Sequence, residues 1–350
     1  MTTRRHVLRL GAGLGALPLA PGGRGRIERA RWHVHGDPGI RVAVREVWHT
    51  GAFERRLPPV VLLHGARVPG AASFDLPVEG GSLAADLAAA GHRVHIMDAR
   101  GYGASSRPSP TGRPLATGAE VVRDIAAVVR AVRHRTRAES VALVGWATGA
   151  HWFGWYATRS PRTVSHLVLY NSLYGALDGH PTLGRGSQYE DPARPGEFNA
   201  AAFGSYRLST GASLLPSWDD TIPVEDKTRW RDPEVAAAYV AAALGSDPTS
   251  CERRPPSFRA PTGALSDSFY LATGRKLWDA RDVRARTLVL RSELDFWSRP
   301  GDLDGLRAEL TRAADVRAVT LPAATHFAHL DRPARGRARF LREVLRWLAR

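Results

Sequence analysis

The chain has 350 residues, a formal charge of +15 and a single cysteine, with 43% hydrophobic and 24% charged residues. That length exceeds what one compact core usually fills, so a core carrying an insertion is expected, and one cysteine (Cys251) excludes an internal disulfide framework and any cysteine-based metal site. The basic excess is almost all arginine, only Lys227 and Lys276 being lysines, and it is scattered without dense blocks or interleaved aromatics. It therefore reads as a solvated surface and gives no nucleic-acid partner.

In chain order, Thr3-Arg4-Arg5-His6-Val7-Leu8 precedes an uncharged run from Leu10 to Ala20. This resembles a twin-arginine export signal and is too short to span a bilayer. Against export, arginine pairs recur at Arg55-Arg56 and Arg253-Arg254, and Pro21 suits a cleavage site poorly. An exported protein and a cytoplasmic one with a basic tail both remain open. No repeat is present, and no other apolar run is long enough to predict integral membrane association.

From Arg31 onward, strands alternate with helices. Arg31–His35 and Ile40–Trp48 form a predicted pair around Gly36-Asp37-Pro38-Gly39. Pro59–Leu63 is a continuous apolar run, as a strand buried on both faces requires. A helix over Gly81–Ala90, capped by Gly91, leads to a strand over Arg93–Met97. Val122, Ile125, Val129 and Val132 share one face of a helix over Ala119–His134. A strand over 141–144, a helix over 148–159 and a strand over Ser165–Tyr170 follow. The alternation then stops, and helices are predicted over Phe198–Leu208, Pro233–Leu244 and Phe269–Asp279. It resumes with strands over Arg286–Arg291 and Val316–Leu321 and helices over Asp302–Ala313 and Ala334–Leu348. The pattern predicts an α/β fold, a mostly parallel eight-stranded sheet covered by helices, with an insertion after the sixth strand.

Five short motifs fall at predicted strand ends: His64-Gly65-Ala66-Arg67, Asp98-Ala99-Arg100-Gly101-Tyr102-Gly103, Gly145-Trp146-Ala147-Thr148-Gly149, Asp295, and Ala324-Thr325-His326-Phe327. In their order and placement they resemble the α/β-hydrolase superfamily, in its lidded bacterial form that includes esterases, epoxide hydrolases and dehalogenases. The resemblance implies a tail over 1–30, a core over 31–171 and 283–350, and a helical lid over 172–282. It also implies a small-molecule substrate or ligand, with His326 as general base and Asp295 fixing its tautomer. The backbone N–H groups of Ala66 and Thr148 would form an oxyanion hole. Arg67, Trp146, Trp218 and Trp297 are candidate substrate contacts. Asp98, Arg100 and His64 suit structural roles, and His329 and Glu293 are weaker rivals to the two dyad residues.

One position departs from the family. The middle of the elbow, where a nucleophile belongs, is Ala147. Three readings follow: a hydrolase-fold enzyme that works through His326 and Asp295 on an ester, amide or carbonyl-type substrate without a covalent intermediate; a non-catalytic binder of small ligands; or an ordinary serine hydrolase carrying an inactivating Ser→Ala change. No cofactor or metal is expected: no ligand spacing occurs, and Gly11-Ala12-Gly13-Leu14-Gly15 lacks the strand-turn-helix setting of a dinucleotide site.

Overall fold

A computed structural model describes residues 25–54 and 56–350. The arginine pair and apolar run near the N-terminus lie outside these residues. Eight strands form the main sheet: β1 (Ile27–His35), β2 (Arg41–His49), β3 (Val60–Leu63), β4 (Val94–Met97), β5 (Val141–Trp146), β6 (Val164–Tyr170), β7 (Arg286–Leu294) and β8 (Val316–Thr325). Their spatial order is β1-β2-β4-β3-β5-β6-β7-β8. Only β2 runs against its neighbours; from β4 to β8 every pair is parallel. This is the mostly parallel sheet expected from the sequence. β1 begins at Ile27, four residues earlier than Arg31, so the end of the expected tail belongs to the sheet.

The side-chain alternation of buried strands builds two apolar layers, one on each face. Val60, Leu62, Val94, Ile96, Ala142 and Val144 feed one, together with helices Leu83–Ala89 and Arg337–Leu348. Val61, Leu63, Met97, Val141 and Leu143 feed the other, with helices Gly118–Thr136, Thr148–Arg159 and Pro300–Glu309.

The segment between β6 and β7 is less helical than expected. Pro233–Gly245 is a helix as predicted, started by the Asp232 side chain and by proline in its first turn. Phe198–Leu208 is not one helix. A strand ending at Phe198 gives way to the short helix Ala200–Phe203, which stops at Gly204 with φ 53°. The chain then turns into a strand over Tyr206–Thr210 that pairs with Ser257–Pro261. The predicted helix over Phe269–Asp279 is displaced towards the N-terminus and spans Gly263–Ala272.

That last helix is tied to the core by a buried carboxylate. Asp267 accepts hydrogen bonds from the Trp152 indole (2.8 Å) and from the Gly118 N–H (2.7 Å). Burial outweighs both donors and pushes its pKa up to about 7. A carboxyl raised in the folded state binds its proton more tightly there than in the unfolded chain. Its contribution to stability is therefore full below its unfolded value and lost as pH rises through about 7. Asp267→Asn removes that proton. Melting curves of wild type and variant should diverge in the variant's favour between about pH 4 and pH 7, by an amount on the order of a few kcal/mol, and stay apart above that. Parallel curves would contradict this account.

Candidate active site

The site assembles where β3, β5, β7 and β8 end. β7 continues three residues past Arg291, and β8 continues four past Leu321. Each strand thus delivers a candidate residue, Asp295 or His326, as the next residue in the chain. His326 Nδ1 lies 2.6 Å from Asp295 Oδ1. Asp295 also accepts from the N–H groups of Trp297 (3.1 Å) and Ser298 (2.8 Å) and from the Ser298 hydroxyl. Burial pushes this carboxyl up. The charge and hydrogen bond of His326 and the Ser298 donors outweigh it and hold the group below the ordinary carboxylate range. An ionised Asp295 requires a proton on Nδ1, so the lone pair of His326 sits on Nε2, which has no partner among the described residues, and His326 is among the residues that line the cavity. The rival Glu293 is spent elsewhere, accepting from the Ala323 N–H at 2.7 Å.

The elbow has the geometry of a nucleophile turn without the nucleophile. Ala147 has φ 52° and ψ −114°, a combination that costs a non-glycine residue roughly 1–3 kcal/mol. The flanking glycines are obligatory. A Cβ on Gly145 would stand 2.5 Å from Ala150 Cα, and one on Gly149 would stand 2.3 Å from the Leu63 carbonyl oxygen. Ala147 donates its N–H to the Tyr170 carbonyl (2.8 Å), which pins the turn to β6. Thr148 opens the helix, so its N–H has no carbonyl one turn earlier to bond. The N–H of Ala66 meets no acceptor among the described residues, while its carbonyl accepts from the Tyr102 hydroxyl (2.9 Å).

Three donors converge on the backbone carbonyl of His326: the Trp146 indole (3.0 Å), the Tyr170 hydroxyl (2.8 Å) and the Asn171 amide (3.2 Å). Asn171 also bonds the Ser292 hydroxyl (3.2 Å) and accepts the Ser292 N–H (2.7 Å), itself held at φ 51°. Trp146 was singled out from the sequence only as a substrate contact, and Tyr170 and Asn171 were not singled out for any role. Asn171 follows β6 directly, but nothing in its neighbours marks a polar side chain turned inward across three strands.

His326, Ala147, Thr148, Ala66, Arg67, Trp146 and Trp297 all line one cavity of about 260 Å³. Trp218 does not. It is fully buried, its indole donates to Asp331 (2.9 Å), and its ring stacks behind Phe327 with centroids 4.5 Å apart. Phe327 takes the place at the wall that Trp218 was expected to fill. Wall residues not anticipated include Arg207, Tyr239, Gln188 and Phe296. Thr148 is wholly buried, and its hydroxyl has no partner. The supporting residues behave as expected. His64 accepts the Ala99 N–H on Nε2 (3.2 Å) and bonds the Gly65 carbonyl through Nδ1 (2.7 Å), its pKa lowered by burial. Asp98 caps Gly70 (2.8 Å), and Arg100 pairs with Asp124 (2.6 Å). His329 is packed against Trp146 and driven down to about 3 by burial.

A wider groove of about 1220 Å³ borders β1 and β2. Several of its charges are paired, Arg29 and Arg45 with Asp75 and Arg337 with Asp86, and neither His326 nor Asp295 lines it. The smaller cavity is where the chemistry would lie.

Residues 58–333 match the family described as alpha/beta hydrolase fold. Solved structures with the same fold include an esterase from Rhodococcus sp. ECU1013, 17% identical, with a TM-score of 0.59 over 91% of this chain and 98% of its own. A thioesterase domain from the curacin biosynthetic pathway is 15% identical, with a TM-score of 0.57 over 91% and 99%. A hydrolase from Pseudomonas aeruginosa PA01 is 19% identical, with a TM-score of 0.55 over 91% and 98%. Among curated proteins none matches.

The clamp on His326 has a measurable cost of removal. Asn171→Ala deletes three hydrogen bonds, leaves the buried Ser292 N–H unpaired and puts a methyl side chain in a left-handed conformation. Urea unfolding should show a loss of about 2–4 kcal/mol. A loss below roughly 1 kcal/mol would mean that the clamp is dispensable.

Proposed function

Because the chain belongs to the α/β-hydrolase fold family, we propose that it is a hydrolase acting on a small ester, amide or carbonyl-type substrate through His326 and Asp295, without a covalent intermediate. The observation that carries this reading is the 2.6 Å bond between His326 Nδ1 and Asp295, with His326 and Ala147 lining the same cavity. A methyl is one oxygen smaller than a serine side chain, so an attacking water fits beside Nε2. His326 takes a proton from that water as the new C–O bond forms. The carbonyl π pair moves onto oxygen, where the N–H groups of Ala66 and Thr148 receive the charge, each such donor being worth about 3 kcal/mol. Collapse expels the leaving group, which recovers the proton from His326. Asp295 stays ionised throughout and stabilises the imidazolium.

The segment over 172–282 acts in this reading as a lid and as the specificity wall. It supplies Thr182, Leu183, Gln188, Tyr189, Arg207, Leu214, Ser217, Tyr239 and Leu265 to the cavity. The neighbouring Thr148 is not the nucleophile, because the turn aims only residue 147 into the site.

A panel of small esters, amides and lactones, screened with wild type, tests this directly. His326→Ala should lower any activity found by at least about 100-fold, and Thr148→Val should leave it within about twofold. Ala147→Ser should add p-nitrophenyl acetate hydrolysis with an initial burst. Activity indifferent to His326→Ala would remove the base assignment. No gain in Ala147→Ser, together with ligand recovered intact from wild type, would point to a binding protein.

A further inference from the structure

The cavity wall holds two arginines and no carboxylate. Among its lining residues, Arg67 and Arg207 are the only fixed charges, and neither forms an ion pair among the described residues. They come from different parts of the chain, Arg67 from the loop after β3 and Arg207 from the strand Tyr206–Thr210. Both are largely buried, and the Nε of each is shielded from solvent without a hydrogen-bond partner. Arg67 spends its terminal nitrogens on the Ser213 carbonyl (3.1 Å) and on the hydroxyls of Ser213 (2.8 Å) and Ser209 (3.3 Å). Arg207 makes one weak bond, to the Ala66 carbonyl at 3.3 Å. Burial and the charge of Arg67 together push Arg207 down to about 10.

Two like charges partly removed from water on the wall of one small cavity, close enough that Arg67 lowers the pKa of Arg207, are costly to keep without a counter-ion. The rest of the protein handles buried charge differently. Arg100 is met by Asp124 and Asp37, and Asp247 by Arg259 and Arg253. In the cavity only neutral hydroxyls and carbonyls answer the guanidinium groups. A ligand must therefore bring the negative charge.

We propose that the natural substrate is a small organic acid whose carboxylate is bound by Arg207, with Arg67 adding charge beside it. This rests on the hydrolase reading for which part of the molecule reacts, but not for the anion site itself. Arg207 has its Nη1 uncommitted among the described residues and offers a planar fork suited to one carboxylate. Its anchor is the carbonyl of Ala66, whose own N–H is the proposed oxyanion donor. The anion site therefore adjoins the residue that carries one proposed oxyanion donor, which favours a small acid whose carboxylate and reacting carbonyl fit the same cavity. The remaining wall, with Trp146, Leu214, Leu265, Phe296 and Phe327, takes the apolar part.

The test is a binding measurement that needs no turnover. Phenylacetate, phenylacetamide and phenyl phosphate are titrated calorimetrically into the full chain near neutral pH. Wild type should bind phenylacetate on the order of tenfold more tightly than the amide. Arg207→Gln and Arg67→Gln should each erase most of that ratio while leaving amide binding in place, and Arg207→Lys should retain part of it. His326→Ala should keep the ratio, because the anion site does not include the imidazole. Equal affinity of wild type for acid and amide overturns the proposal, as does a ratio that survives both glutamine variants. Tighter binding of phenyl phosphate overturns the carboxylate in favour of a phosphate. If Arg207→Gln does not fold, the wild-type ratio and Arg207→Lys decide. A preserved ratio alongside turnover indifferent to His326→Ala would remove the catalytic reading and leave the anion site standing.

Discussion

The arrangement depends on one backbone oxygen. The carbonyl of His326 receives hydrogen bonds from residues at the ends of β5 and β6, and Asn171 extends the same cluster to Ser292 on β7. The β8 loop is thereby fixed to three neighbouring strands before its imidazole meets anything. Asp295 then holds the ring from the end of β7, and Trp146 and Phe296 pack beside it with centroids 5.1 and 4.8 Å away. A side chain held at both backbone and ring loses little freedom on binding a substrate, which is the preorganisation that general-base chemistry needs. Burying so many polar groups is tolerable only because each finds a partner.

The same network explains how Ala147 stays in a disfavoured conformation. Its N–H is held by Tyr170, the residue whose hydroxyl bonds the His326 carbonyl. Relaxing the turn would break that bond and pull the helix start away from β5, so the strain is imposed by surroundings that cost more to disturb. In the family this strain serves to lift a nucleophile. Here it lifts a methyl, and what the turn still positions is the Thr148 N–H at the helix start. In the proposed mechanism the elbow is retained for the electrophilic half of its work. The negative pole of the site, Asp295, is screened behind His326, and the cavity itself is left with positive charge and N–H donors.

The inner strands were legible because burial on both faces writes itself as apolar runs such as Pro59–Leu63, whereas the edge strands β1 and β8 are largely half-buried or exposed and lack such runs; all eight fall within a few residues of their expected positions. The glycines around Ala147 were equally plain, since no other residue fits against Ala150 and the Leu63 carbonyl. The insertion was legible only in part, its helix Pro233–Gly245 but not its ribbon. Tyr206–Thr210 carries a mixture of aromatic, charged and hydroxyl residues that fits a two-stranded ribbon as well as a helix, and only its pairing with Ser257–Pro261, some fifty positions away, decides. Arg207 was lost among many arginines for the same reason. What separates it is the absence of an acidic neighbour in space, which a one-dimensional string does not display. Trp218 was overrated because a tryptophan near a site suggests a wall, whereas its bond to Asp331 draws it one layer deeper.

Long-range connections also give the insertion a part in the chemistry beyond shape. Asp267 fastens one of its helices to Trp152, on the helix that starts at Thr148, and Arg207 fastens its ribbon to the carbonyl of Ala66. Both proposed oxyanion donors are therefore mechanically linked to the segment over 172–282 that lines the cavity. A ligand that draws Arg207 towards it pulls on the peptide group next to one donor, while the other is held through Asp267 and the helix. Recognition and charge stabilisation then share a frame, so a substrate that fails to engage the arginine loses alignment at the reacting carbonyl as well as binding energy. That coupling is a route by which a site without a covalent nucleophile can still discriminate, because remote binding energy is realised where the negative charge develops.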